Sequence, residues 1–143
     1  MKQVRQQMNL VLRVALSALL LGSLSSCVFD SGVEWRGGPY ALLWIDLPER
    51  VTLDRVVQDG DSFIGRVDAT VFAVGWDGRY VVAKQHPYGD RSRTDYFIID
   101  SRKDGEYADA ADVVVGPLNS DQYAKKEAEL NLPKFSKTLA SLQ

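Results

Sequence analysis

Residues 74–87 read VGWDGRYVVAKQHP, and the Asp77-Gly78 pair near the centre separates two β-rich runs. Both central residues of a type I′ turn take positive φ, and so short a loop matches the twist of the strands it joins. Asp-Gly between apolar runs therefore predicts a hairpin. In that register Trp76 faces Arg79, Val74 faces Val81 and Phe72 faces Ala83. The opposite face carries Val71, Ala73, Tyr80 and Val82 and is nearly as apolar. Two apolar faces place the hairpin at the centre of a sheet covered on both sides.

Toward the N-terminus, YALLWID (40–46), VTLDRVV (51–57) and SFIGRVDATVFAVGW (62–76) are rich in aromatic and β-branched residues and are separated by Pro48 and by Asp59-Gly60-Asp61. They read as strands, with Gly65 a bulge or break. Beyond the hairpin, YGDRSRTD (88–95) is a polar loop, YFIID (96–100) a short strand and SRKDGEYADAAD (101–112) a second polar connection. VVVGP (113–117) is a last strand, ended by Pro117, which cannot donate to a ladder. Asn119 with Gln122 three residues later reads as a helix N-cap with capping-box character. Asp121/Lys125 and Lys125/Glu129 stand at i,i+4, and Asn131 with Pro133 stops the run, so a helix is expected over 120–130. A further turn is expected within 136–142. The expected architecture is α+β: a small antiparallel meander of about five or six strands with the C-terminal helix packed on it.

The first quarter of the chain is of another kind. MKQVRQQMNLVLRVALSALLLGSLSSC carries Lys2, Arg5 and Arg13 and no acid, then an apolar stretch over 14–24, then small residues. This is the order of a secretory signal. The apolar stretch is too short for a bilayer span, which takes about 20 apolar residues. LSSC (24–27) resembles the lipobox of bacterial lipoproteins, in which an aliphatic and two small residues precede a cysteine whose thiolate takes up a diacylglyceryl group. Cys27 is the single cysteine of the chain, so no intramolecular disulfide competes for it. The resemblance implies cleavage between Ser26 and Cys27, lipidation of Cys27 and attachment to a membrane through that lipid. The chain then divides into a signal over 1–26, a lipidated tether over 27–39 and one domain over 40–143.

Removing 1–26 takes away three of the 17 basic residues and none of the 19 acidic ones, which moves the formal charge from −2 to −5. A nucleic-acid partner requires a basic face, and none is expected here. By resemblance to lipoprotein sorting in two-membrane bacteria, Val28 rather than aspartate after the cysteine implies the outer membrane, facing the periplasm. In a single-membrane host the place would be the outer cell surface.

GWDGRYVVAKQHP, YFIID and VVVGPLNSDQYAKKEAELNLP together resemble a family of small exported bacterial proteins known as a domain of unknown function. The resemblance runs from Ala69 to Pro133. Its members show an AKQ-H-P-like strand end, a YWIID-like strand and GPL leading into a helix. Phe97 stands where tryptophan is usual and Tyr123 where phenylalanine is usual, and GEYADAAD lengthens the connection before the last strand. The resemblance implies fold and export and carries no activity.

His86 is the sole histidine and Lys84 stands two residues before it. A metal centre takes three or four ligands, and no second histidine or spare cysteine exists to supply them. Asp46/Glu49, Asp59/Asp61, Asp100/Asp104 and Asp109/Asp112 are paired acids, mostly beside glycine or proline, where turn capping accounts for them. No G-x-S-x-G elbow, phosphate loop or dinucleotide fingerprint occurs. No catalytic residue, metal or cofactor is expected. Trp76, His86, Tyr88 and Tyr96 form a candidate binding patch, since amphipathic aromatics dominate interface energetics. The expected function is a non-enzymatic protein-binding module: an inhibitor, an immunity-type factor or an accessory subunit. The alternatives are an envelope hydrolase with its site near His86, or a structural lipoprotein contacting peptidoglycan or lipid.

Overall fold

The computed structural model describes residues 30–57 and 60–143. Strands β1 (Ser31–Gly37), β2 (Tyr40–Ile45), β3 (Thr52–Val56) and β4 (Phe63–Val67) form one antiparallel sheet in that order. Strands β5 (Val71–Trp76), β6 (Tyr80–Gln85), β7 (Asp95–Asp100), β8 (Val114–Leu118) and β9 (Lys137–Thr138) form a second, ordered β8-β7-β6-β5-β9. Helix α1 (Ala110–Val113) is a single turn before β8, and α2 (Ser120–Leu130) follows it.

The fold is α+β with a C-terminal helix, but the meander is two sheets rather than one. The division falls at 68–70, where the chain leaves β4 and is held by hydrogen bonds that belong to neither ladder. Gln85 Nε2 donates to the Asp68 carbonyl at 2.8 Å, and Val71 N donates to the Val51 carbonyl at 2.8 Å. Burial explains the split. Tyr40, Leu42, Leu53 and Val67 of the first sheet share a core with Phe72, Val74, Val81, Ala83, Phe97 and Ile99 of the second. Each buried aliphatic or aromatic side chain contributes about 1.5–3 kcal/mol, and an open single sheet would leave that face wet. The outer face of the second sheet, with Tyr80, Val82 and Ile98, is covered by Tyr123 of α2 and by Leu132. Both faces of the central hairpin are thus covered, as its pattern requires.

The hairpin turn lies one residue later than expected. Asp77 Oδ1 accepts from Arg79 N at 2.8 Å and Tyr80 N at 2.7 Å, so Asp77 flanks the turn instead of occupying it. Gly78 takes φ +99° as first central residue. Trp76 consequently pairs with Val81 and Val74 with Ala83. The slip moves each partner by two residues, and a period of two keeps Phe72, Val74, Val81 and Ala83 on one face as expected, but a bulge between Val71 and Ala73 sets Val71 opposite Gln85 and carries it from its expected face into the same core.

Two terminal segments differ from expectation. Ser31–Gly37, expected within a tether, is a strand paired to β2, and its alternation is hidden by a register shift between Val33 and Trp35. Within 136–142 the expected turn is present at 140–142, closed by Leu142 N on the Leu139 carbonyl, but it is preceded by the short β9 along β5, with Ser136 N on the Val74 carbonyl and Leu139 N on the Phe72 carbonyl. Gly75 permits that crossing, because a Cβ there would overlap the Lys134 carbonyl. Helix α2 occupies the expected residues. The Asn119 side chain accepts from Gln122 N, the Gln122 side chain accepts from Asn119 N, and Asn131 closes the helix in the left-handed region.

Candidate functional site

The site is built on the loop that follows β6. His86 N donates to the Thr70 carbonyl at 2.9 Å and Thr70 N donates back to the His86 carbonyl at 3.2 Å. The His86 ring stacks on Phe72, with centroids 4.2 Å apart. Its Nδ1 lies 2.7 Å from the Arg93 carbonyl, an acceptor, so Nδ1 carries the proton and donates. Nε2 is buried and meets no hydrogen-bond partner among the described residues. Pro87 then opens a single 3-10 turn in which Gly89 N donates to the His86 carbonyl and Tyr88 takes φ +54°. Asp90 Oδ1 accepts from both the hydroxyl and the amide of Ser92, which lowers its pKa, and Arg91 Nη2 donates to the Ser141 carbonyl at 2.8 Å. The outcome is a loop pinned at several points that leaves the Tyr88 side chain fully exposed.

Tyr88 stands between two clefts, which also share Asp68 and Ala69. The larger, about 940 Å³, has Leu43, Ile45 and Leu47 along one wall and carboxylates from Asp46, Glu49, Asp54 and Asp68. Ile45 and Leu47 are exposed. Asp54 is buried, and that burial raises its carboxyl above the ordinary range. The charge of Asp68 adds to the shift, while the Thr52 hydroxyl, donating at 3.0 Å, and Arg66 oppose it. The smaller cleft, about 410 Å³, is lined by the buried side chains of Arg66, Gln85 and Asp95. Arg93 holds Asp95 through two bonds of 2.9 and 3.0 Å.

The four aromatic or imidazole candidates are not one patch. Trp76 is half-buried at the turn end of the hairpin, edge-on to Tyr40 at 5.6 Å and packed against Gly38. Tyr96 stacks on Tyr123 of α2 at 4.8 Å. Lys84 does not approach His86 as a partner; its ammonium sits 4.6 Å from the centre of the Phe135 ring. His86 anchors the loop from beneath, and Tyr88 alone of the four is open. Ser26 and Cys27 lie outside the described residues, as does Asp59.

Of the paired acids, Asp46 and Glu49 share the larger cleft. Asp100 holds Arg79 and Arg102, and Asp109 caps α1. Asp104 is buried between Arg66 and the Tyr40 hydroxyl. Among the described residues no group of histidine, cysteine and carboxylates is arranged to hold a metal ion. No helix among them is long and apolar enough to cross a membrane. Sequence reasoning missed Asp54 and Asp68, which line one cleft from β3 and from the end of β4 and so leave no local signal. It also missed Ile45 and Leu47, where the apolar pattern of β2 runs past the strand end into solvent.

Two antiparallel sheets around one core, with a helix over the second and a grooved end carrying an exposed tyrosine, define a small α+β domain. The chain belongs to the family described as "Protein of unknown function (DUF3997)", whose model matches residues 39–141. The match takes in β2 to β4 of the first sheet, beyond the stretch from Ala69 that the motifs had suggested. Searches of curated proteins and of solved structures give no match.

Proposed function

We propose that this protein is a lipoprotein of the bacterial envelope, anchored through Cys27, whose domain binds another protein through the Tyr88 rim. The outer membrane, facing the periplasm, is the place that Val28 favours; in a single-membrane host it is the cell surface. The observation that carries the binding reading is Tyr88 itself. A fully exposed aromatic between two clefts, on a loop pinned by His86 and Asp90, loses little freedom on binding and offers a large apolar surface. The non-enzymatic reading draws on His86, whose Nδ1 is committed to a carbonyl and whose Nε2 is sealed in the core. An inhibitor, an immunity-type factor and an accessory subunit all fit such a surface.

The test places a photo-crosslinking residue at Tyr88 in the living cell, with Tyr107 as an equally exposed control. One discrete adduct from position 88 and none from 107 is the expected result. Absence of any adduct at 88 across growth conditions would remove the protein-binding reading. The anchor is tested separately, since Cys27→Ser should abolish both acyl labelling and membrane retention.

A second reading, an envelope hydrolase, draws on Asp54 rather than His86. A buried carboxyl of raised pKa in a cleft beside a second carboxylate is how a general acid is prepared. Release of soluble fragments from peptidoglycan by the native protein, and not by Asp54→Asn, would favour it over the binding module.

A further inference from the structure

We propose that the apolar patch of Val33, Ile45 and Leu47 lies against the headgroup layer of the membrane that holds Cys27, so that a lipid surface is its occupant. The attachment of Cys27 belongs to the reading above; the orientation of the domain is the added claim. Chain length carries it. The Asp30 carbonyl accepts from Asp46 N at 2.7 Å, and Ser31 pairs with Ile45. The first sheet therefore captures the chain only three residues after Cys27. Three residues reach at most about 11 Å when fully extended. A lipid-bearing cysteine sits near the hydrocarbon boundary, and the headgroup layer above it is about 5–8 Å thick. About half to three-quarters of the available reach is spent in crossing that layer, which leaves only about 3–6 Å between it and the captured strand end. The Ile45 end of β2 is thus held at the membrane surface, while the Tyr40 end lies about 17 Å further out along the strand.

The side chains at the captured end suit that place. Val33 is 47% exposed, Ile45 58% and Leu47 45%. Val33 pairs with Leu43, two residues from Ile45, so the pleat puts Val33 and Ile45 on the same face of the sheet. Asp46 and Glu49 stand among them, with Arg50 as the basic residue of the same cleft. This charge balance offers no adhesion to anionic lipid. Contact is consequently apolar and gains nothing from anionic lipid. The larger cleft then opens beside the membrane, and the partner that Tyr88 meets is met within reach of the bilayer.

The experiment uses the mature lipidated protein, from Cys27 on, in phosphatidylcholine vesicles. Ile45→Cys, Leu47→Cys and Tyr107→Cys are each labelled with an environment-sensitive fluorophore, and the acyl chains carry a nitroxide quencher near the headgroup. Tyr107 lies in the 101–109 connection, which Asp104 ties to the Tyr40 hydroxyl at the outer end of the sheet. Labels at 45 and 47 should lose most of their emission and the label at 107 none. A protein that floats with the vesicles while its labels at 45 and 47 stay wet and unquenched overturns the orientation and leaves the anchor standing. Dry but unquenched labels at those positions overturn it too, by showing that a second copy or a protein partner covers the patch. A protein that fails to float, and whose Cys27 takes the label itself, overturns the attachment and the orientation with it.

Discussion

Asp104 sits in the connection between β7 and α1 with no side-chain exposure, and three groups of the first sheet converge on it. Arg66 Nε donates to Oδ1 at 2.9 Å with Nη2 at 2.8 Å, the Tyr40 hydroxyl donates to Oδ2 at 2.9 Å, and Arg55 Nη1 lies 3.7 Å away. Asp104→Ala would leave the Arg66 guanidinium, 1% exposed, with only the Gly65 and Gly105 carbonyls, each at 3.1 Å. Stranding one partner of a buried ion pair costs about 3–5 kcal/mol. At roughly 4 °C per kcal/mol for a domain of this size, the melting temperature should fall by about 12–20 °C. The paired replacement Arg66→Met with Asp104→Leu removes that buried charge pair at similar volume and should recover part of the loss, since the Tyr40 hydroxyl is left without its acceptor at about 1–3 kcal/mol and Arg55 without its counter-charge. Urea unfolding of the native chain and both variants measures each quantity. The reasoning is refuted if Asp104→Ala unfolds within about 1 kcal/mol of the native chain, or if the double variant is no more stable than the single one.

Three further perturbations test other parts of the structure. The Tyr123 hydroxyl is buried without a partner among the described residues, so Tyr123→Phe should raise stability by about 1 kcal/mol, and a loss of that size in urea unfolding would show an unseen partner. Asn119→Ala removes the side-chain acceptor of Gln122 N, while the Asn119 backbone N–H can still donate to the Gln122 side chain, and should cost about 1 kcal/mol, with amide exchange in the first turn of α2 rising first. Because burial raises the Asp54 carboxyl in the folded chain, its ionisation is a cost that is absent below the unfolded pKa, about 3.9, and complete above the folded one. Asp54→Asn should therefore melt higher than the native chain at pH 7 and converge with it toward pH 3, and a gap independent of pH would be the contrary result.

Local chemistry was legible wherever one segment decides its own conformation. Asn119, Gln122 and Asn131 delimit α2 because capping needs only neighbours in sequence. The faces of the central hairpin were legible because period two survives a slip of register, whereas the turn itself was not. Asp77 could serve either as a turn residue or as the acceptor that flanks it, and two amide bonds to its carboxylate decide for the second. The split into two sheets was illegible for a different reason. Residues 68–70 carry no breaker, and the division is imposed by partners distant in sequence, Val51 just before β3 and Gln85 at the end of β6. His86 was visible as chemistry, but its surroundings were not. Its pairing with Lys84 in sequence dissolves once His86 stacks on Phe72 and Lys84 turns to Phe135.

The same two-sheet arrangement connects stability to the grooved end. The smaller cleft has Arg66 in its lining, and Arg66 is also the residue that Asp104 neutralises from behind. Its guanidinium is committed to the Asp104 carboxylate and two carbonyls, so it shapes the cleft without offering a free charge to a ligand. Tyr88 is separated from that network by Asp68 and Ala69, whose carbonyls are held by Gln85. A variant that loosens Asp104 should consequently lower global stability while leaving crosslinking from position 88 intact at temperatures where the domain remains folded. Loss of the adduct in a folded Asp104→Asn variant would place the buried ion pair within the recognition surface rather than beneath it.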